Sequence, residues 1–129
     1  MKKEAQSSIE FVIIVAFILF FFSAFFLIIN ENIADKLKEK QNLEVKNTAL
    51  VIQDEINMAS KSSEGYTREF KIPEKIRDKD YEVSITEEMV YARTWDNKSA
   101  IALPVLNITG DVVKGINRIR KINGMIYLN

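Results

Sequence analysis

The sequence contains no cysteine and no histidine. Disulfides, thiol nucleophiles and the commonest metal-ligand sets are therefore excluded, as is imidazole, the usual proton-transfer group near neutral pH. A surplus of one charge is also missing, since 18 Lys and Arg balance 18 Asp and Glu. A general nucleic-acid binder shows a basic excess, so no nucleic-acid partner is expected. Glycine and proline are scarce, four and two in 129 residues, and none precedes Gly65. That absence permits an unbroken helix from about Gln6 to Ser62. Only carboxylates, amines, phenols and hydroxyls remain for chemistry. They form no phosphate-binding glycine loop and no convergent catalytic set. The composition argues against an enzyme, and no cofactor, metal or small-molecule substrate is expected.

The apolar residues are concentrated at one end. From Phe11 to Ile29 the chain reads FVIIVAFILFFFSAFFLII, without a charge and with Ser23 as its one polar residue. All but one of the eight phenylalanines lie here. At about 1.5 Å per residue such a helix spans roughly 28 Å, enough for a bilayer core of about 30 Å. A buried core helix this greasy on every side would need a larger protein around it. A cleaved secretory signal has a shorter apolar core and a small-residue cleavage site, whereas this run continues into Asn30-Glu31-Asn32. The pattern predicts a retained membrane-spanning segment.

Beyond it, Val45, Ala49, Ile52, Ile56 and Ala59 recur at alternating steps of four and three, one stripe along a helix, and Leu50 and Val51 widen it. Lys61-Ser62-Ser63-Glu64-Gly65 reads as the helix end. The remainder reads as short antiparallel strands. Tyr81, Val83 and Ile85 alternate with Glu82, Ser84 and Thr86. An earlier strand covers Tyr66 to Ile72, with Phe70 and Ile72 inward. Met89–Trp95 and Ser99–Leu103 flank an Asp96-Asn97-Lys98 turn, and Asn123-Gly124 joins Ile116–Ile122 to Met125–Leu128 as a hairpin. Gly115 suggests a bulge. So few residues of sheet are marginal alone, and the helical stripe is the expected cover for their inner face. The expected fold class is α+β, with one long N-terminal helix packed by its second half on a small antiparallel sheet.

The residues ahead of the apolar run are Lys2-Lys3-Glu4-Ala5-Gln6-Ser7-Ser8-Ile9-Glu10-Phe11. Lys2 and Lys3 favour a cytoplasmic N-terminus, while Lys36, Lys38 and Lys40 on the other flank leave orientation open on charge alone. A carboxylate at Glu10 is either a residue at the membrane edge that caps or snorkels, or a partner for a positive charge inside an assembly. The order Gln6-x-Ser8-x-Glu10-Phe11, directly before an apolar helix, resembles the class III signal sequence of archaeal type IV pilin-like proteins. The layout of the whole chain is similar to theirs. The resemblance implies a leader at 1–5, cut by a membrane prepilin peptidase between Ala5 and Gln6, with Ala5 standing where members often carry glycine. It also implies a transmembrane and filament-core helix over 6–29, its amphipathic continuation over 30–63 and a sheet domain over 64–129. The new amine at Gln6 would pair with Glu10 of an adjacent subunit. The implied partners are the membrane, copies of itself or related pilins in a helical filament, the prepilin peptidase and the pilus assembly machinery. The precursor would sit in the cell membrane with its C-terminal domain outside, and the mature subunit in an extracellular surface filament for attachment.

Weaker signals remain. Asn97-Lys98-Ser99 and Asn107-Ile108-Thr109 match the N-glycosylation acceptor pattern, and Asn97, in a turn, is the better placed of the two. Asp78, Asp80, Glu82, Glu87 and Glu88 form a loose acidic group without the glycine of a calcium loop. Arg118, Arg120 and Lys121 form a small basic patch, read as a solvated strand face. Tyr91 and Trp95 are read as core or edge packing. Three function classes follow: a filament subunit, a membrane-anchored extracellular binding module that never polymerises, and, least supported, a carboxylate enzyme.

Overall fold

A computed structural model describes the backbone from Lys2 to Asn129 and side chains from Gln6 onward. The chain is α+β. Helix α1 runs Lys2–Lys61, followed by β1 (Thr67–Ile72), β2 (Tyr81–Thr86), β3 (Met89–Thr94), β4 (Ala100–Pro104), β5 (Thr109–Gly110), β6 (Gly115–Ile122) and β7 (Met125–Leu128). The chain divides into two compact units, Met1–Leu37 and Lys38–Asn129. The boundary lies inside the segment expected to be the amphipathic continuation of the helix.

In the first unit the described residues are helical throughout, and all but the half-buried Ala24 are exposed. The helix is long and apolar enough to cross a membrane. Its one polar side chain within the apolar run costs nothing there, because the Ser23 hydroxyl donates to the Leu19 carbonyl one turn back (2.8 Å).

The second unit closes around the stripe. Val45, Ala49, Ile52, Ile56 and Ala59 are all buried, so the alternating spacing does mark the inward face. Val51 is exposed and lies outside it, because one step from Ile52 turns a helical side chain about 100° away. The expected strands all form, together with β5, a two-residue strand without an alternating pattern. They divide into two sheets, β1-β6-β7-β5 and β2-β3-β4. All pairs are antiparallel except β5 with β7, which is parallel. Gly110 makes that pairing possible. A Cβ there would lie 1.9 Å from the Leu128 carbonyl oxygen, at a φ of 103°. The Asn123-Gly124 hairpin has φ of 54° and 76°, both positive as a tight I′ turn requires. Gly115 opens β6 at φ 91°, opposite Ile72, at the strand's start rather than within it.

Phe70 and Ile72 point inward, as the alternation predicts. Gln53 Nε2 donates to the Pro104 carbonyl (2.7 Å), tying the helix to β4. Lys121 Nζ donates to the carbonyls of Ser60 and Ser62 (2.7 and 2.8 Å), where the helix leaves acceptors unpaired.

Candidate functional site

The residues of the processing motif share one helix. Gln6, Ser8, Glu10 and Phe11 all lie on α1 and are exposed. Gln6 and Glu10 are four residues apart, one turn of the same helical face. Phe11, directly after Glu10, is 68% exposed and opens the apolar run. The Ala5 side chain and the expected leader at 1–5 lie outside the described side chains.

The two glycosylation triplets differ in setting. Asn97 is exposed in the β3–β4 turn at φ 53°, but Ser99 of its triplet is buried. The Ser99 hydroxyl donates to Asn42 Oδ1, and its N–H donates to Thr94 Oγ1 (3.2 Å). Asn107 and Thr109 are both exposed. The second triplet therefore keeps its hydroxyl free in the folded chain, where the first does not.

The basic patch is a solvated strand face formed by two of its three residues. Arg118 and Arg120 share the exposed face of β6, where Arg118 pairs with Glu69 across β1–β6 (Nε to Oε1 3.1 Å), and Lys121 turns away to the helix end. Strand alternation predicts the departure of Lys121, because neighbouring residues point to opposite faces while residues two apart share one. The acidic group is also dispersed. Glu82 accepts from Arg93 (2.6 Å), and Asp80 binds Lys114 and the Tyr81 N–H (3.0 Å). Glu87 and Glu88 form the β2–β3 turn, at φ 53° and 61°. Among the described residues no cluster of three or more carboxylates is placed to hold a metal ion.

Two carboxylates are held below their usual range. Asp80 is lowered by the hydrogen bond from Lys114 and then by the Tyr81 N–H. Asp96 is lowered by the Thr94 hydroxyl (2.6 Å) and then by the Lys98 N–H (3.2 Å). Burial, followed by the Asp80 charge, raises the Tyr81 phenol from 10.0 to about 12. The phenol donates to the Pro73 carbonyl.

The aromatic residues overturn the packing expectation. Trp95 is 74% exposed and Tyr91 is 41% exposed. Val90, Ala92 and Thr94 are buried, so Tyr91, Arg93 and Trp95 continue the outward face of β3. The signal was available in the sequence. Ala92 and Thr94 are small and share the inner face with Val90, which leaves the bulky alternates outside.

Compared with known proteins, the chain matches no family model, no curated protein and no solved structure.

Proposed function

We propose that this chain is a structural subunit of an archaeal type IV pilus-like filament that serves surface attachment. The reading rests on the junction at Glu10, a carboxylate one residue ahead of an uncharged apolar helix whose side chains stand exposed. The Ala5–Gln6 bond is the proposed cleavage point for a prepilin peptidase. Cutting there frees an amine at Gln6, one helical turn from Glu10.

In the filament core the amine of one subunit meets the Glu10 carboxylate of its neighbour. Such a pair is not strongly stabilising in itself, but an unpaired charge in a poorly solvated core is costly. That cost selects the axial register of assembly. Phe11 to Ile29 hold the precursor in the bilayer and then move among neighbouring helices. Both surroundings are apolar, so little apolar contact is lost, and the phenylalanines supply packing area. The subunit needs no catalysis of its own.

The second reading is a single anchored module that never polymerises. What favours it is that the Lys38–Asn129 unit has its own buried core. Intact mass with N-terminal peptide mapping on protein from its native envelope separates the two. A chain beginning at Gln6 supports the filament reading. A chain beginning at Met1, with the peptidase present, removes its main support.

A further inference from the structure

We propose that Trp95 is the stacking plate of a carbohydrate-binding site at the end of the β2-β3-β4 sheet, which takes neutral pyranose units of a short oligosaccharide. Trp95 is the chain's sole tryptophan. Among the described residues no large apolar side chain is more exposed, the bare phenylalanines of α1 included. The backbone that carries it is held. The main-chain N–H of Trp95 donates to the Asp80 carbonyl (3.3 Å), and the loop behind it is closed by Asn97 N–H to Thr94 O (2.9 Å) and Thr94 N–H to Ser99 O (2.8 Å).

Trp95 lines two shallow cavities. One, about 240 Å³, is shared with Glu82, Arg93, Thr94 and Asn97. The other, about 280 Å³, is shared with Lys79, Asp80, Thr94 and Asp96. The indole is thus the one apolar side chain in either lining, and every other group can donate or accept a hydrogen bond. A pyranose ring has the matching chemistry, with a C–H face to lie on an aromatic plate and hydroxyls at its rim. The polar groups are oriented before any ligand arrives. Arg93 Nε is held by Glu82 (2.6 Å), and Asp96 Oδ1 by the Thr94 hydroxyl (2.6 Å).

A protein partner fits this surface less well, because Glu82, Arg93, Lys79, Asp80 and Asp96 surround the indole, whereas the core of a protein interface is depleted in charged residues. A polyanion fits less well too. Arg93 is offset by Glu82, Lys79 faces Asp96 (3.8 Å) and Lys114 binds Asp80, which leaves no strong local field. Tyr91 lies on the same face four residues earlier, about 13 Å away at strand spacing. Its cross-strand neighbours, Ser84 and Ala102, are small and leave its ring clear. That distance suits a short oligosaccharide rather than one sugar. The site would serve a filament subunit or a single anchored module equally, so it does not rest on the reading above.

With one tryptophan, indole emission under tryptophan-selective excitation reports on this site alone. The full chain, in a sugar-free detergent, is titrated with hexasaccharides of glucose, galactose, mannose and N-acetylglucosamine. At least one is expected to shift Trp95 emission saturably, with half-saturation between about 0.1 and 10 mM. In ligand-observed NMR, Trp95→Ala, which removes a side chain that is 74% exposed, is expected to weaken that binding at least about tenfold. No response to any of the four sugars up to about 10 mM overturns the proposal. So does unchanged binding by Trp95→Ala. An emission shift that follows protein concentration without sugar also overturns it, and assigns the indole to a contact between copies.

Discussion

Asn117 shows how a polar side chain can occupy a core position. It is fully buried in β6, and its amide is used completely. Nδ2 donates to the carbonyls of Val113 (2.7 Å) and Gly115 (3.2 Å). Oδ1 accepts from Val113 N–H (2.8 Å) and Asn129 Nδ2 (2.9 Å). Leucine has the same number and branching of side-chain heavy atoms but is bulkier and would orphan these backbone groups. Asn117→Leu is therefore expected to lower unfolding free energy by about 3 kcal/mol in urea melts. Tyr81 makes a second test at this scale. Its folded pKa is raised from 10.0 to about 12, so its contribution is complete below pH 10 and is lost as pH climbs toward 12. Tyr81→Phe should remove that alkaline loss. At neutral pH it should cost about 1 kcal/mol, because the Pro73 carbonyl loses its donor. Chemical denaturation of both proteins at pH 7 and pH 11 would show whether the alkaline loss follows the phenol.

The elements differ in how far local pattern reveals them. Helix α1 repeats one apolar stripe, and its buried apolar members Val45, Ala49, Ile52, Ile56 and Ala59 were legible, whereas the buried Thr48 and Glu55 beside them were not. Ile52→Ala should cost about 2–5 kcal/mol, since it opens a cavity in the closed core. The adjacent, exposed Val51→Ala should stay within about 0.5 kcal/mol. Equal midpoints for the two variants in a denaturant titration would show the stripe to be misassigned. Strands β2 and β3 and the Asn-Gly hairpin were also legible, because alternation and turn chemistry are local. The strand β6 was legible but its inward face was not, because hydropathy misreads Asn117 as outward and Ile116, 66% exposed, as inward. The division into two sheets depends on pairing between distant segments, which no local period encodes. Strand β5 exists because Gly110 admits the backbone of Leu128, a fact about a neighbour rather than about its own sequence. The candidate sites divide in the same way. The junction at Glu10 can be read as a motif. The surround of Trp95 cannot, since Lys79, Asp80 and Glu82 reach it through the β2–β3 pairing.

At the scale of the whole molecule, folding and assembly draw on different residues. Every buried apolar residue of the core, from Val45 to Leu128, belongs to the unit Lys38–Asn129. The exposed helix that precedes it contributes none of them. A change at Glu10 should therefore leave both the core and membrane insertion untouched, since removing a carboxylate beside an apolar run does not oppose insertion. In the filament reading the same change has a large effect. The Gln6 amine of each neighbouring subunit would enter the core unpaired, at a cost on the order of 3–5 kcal/mol per subunit for an isolated buried charge. That penalty recurs at every added subunit, so even its lower bound would abolish long fibres while monomers accumulate in the membrane. Glu10→Ala is thus expected to fractionate with membranes like the wild type, to unfold at the same denaturant midpoint and to give no filaments by electron microscopy. Glu10→Asp keeps the charge but shortens its reach by one methylene, and should restore part of the yield. Filaments of normal length and number from Glu10→Ala would show that the carboxylate sets no register, and the subunit reading would lose its mechanism.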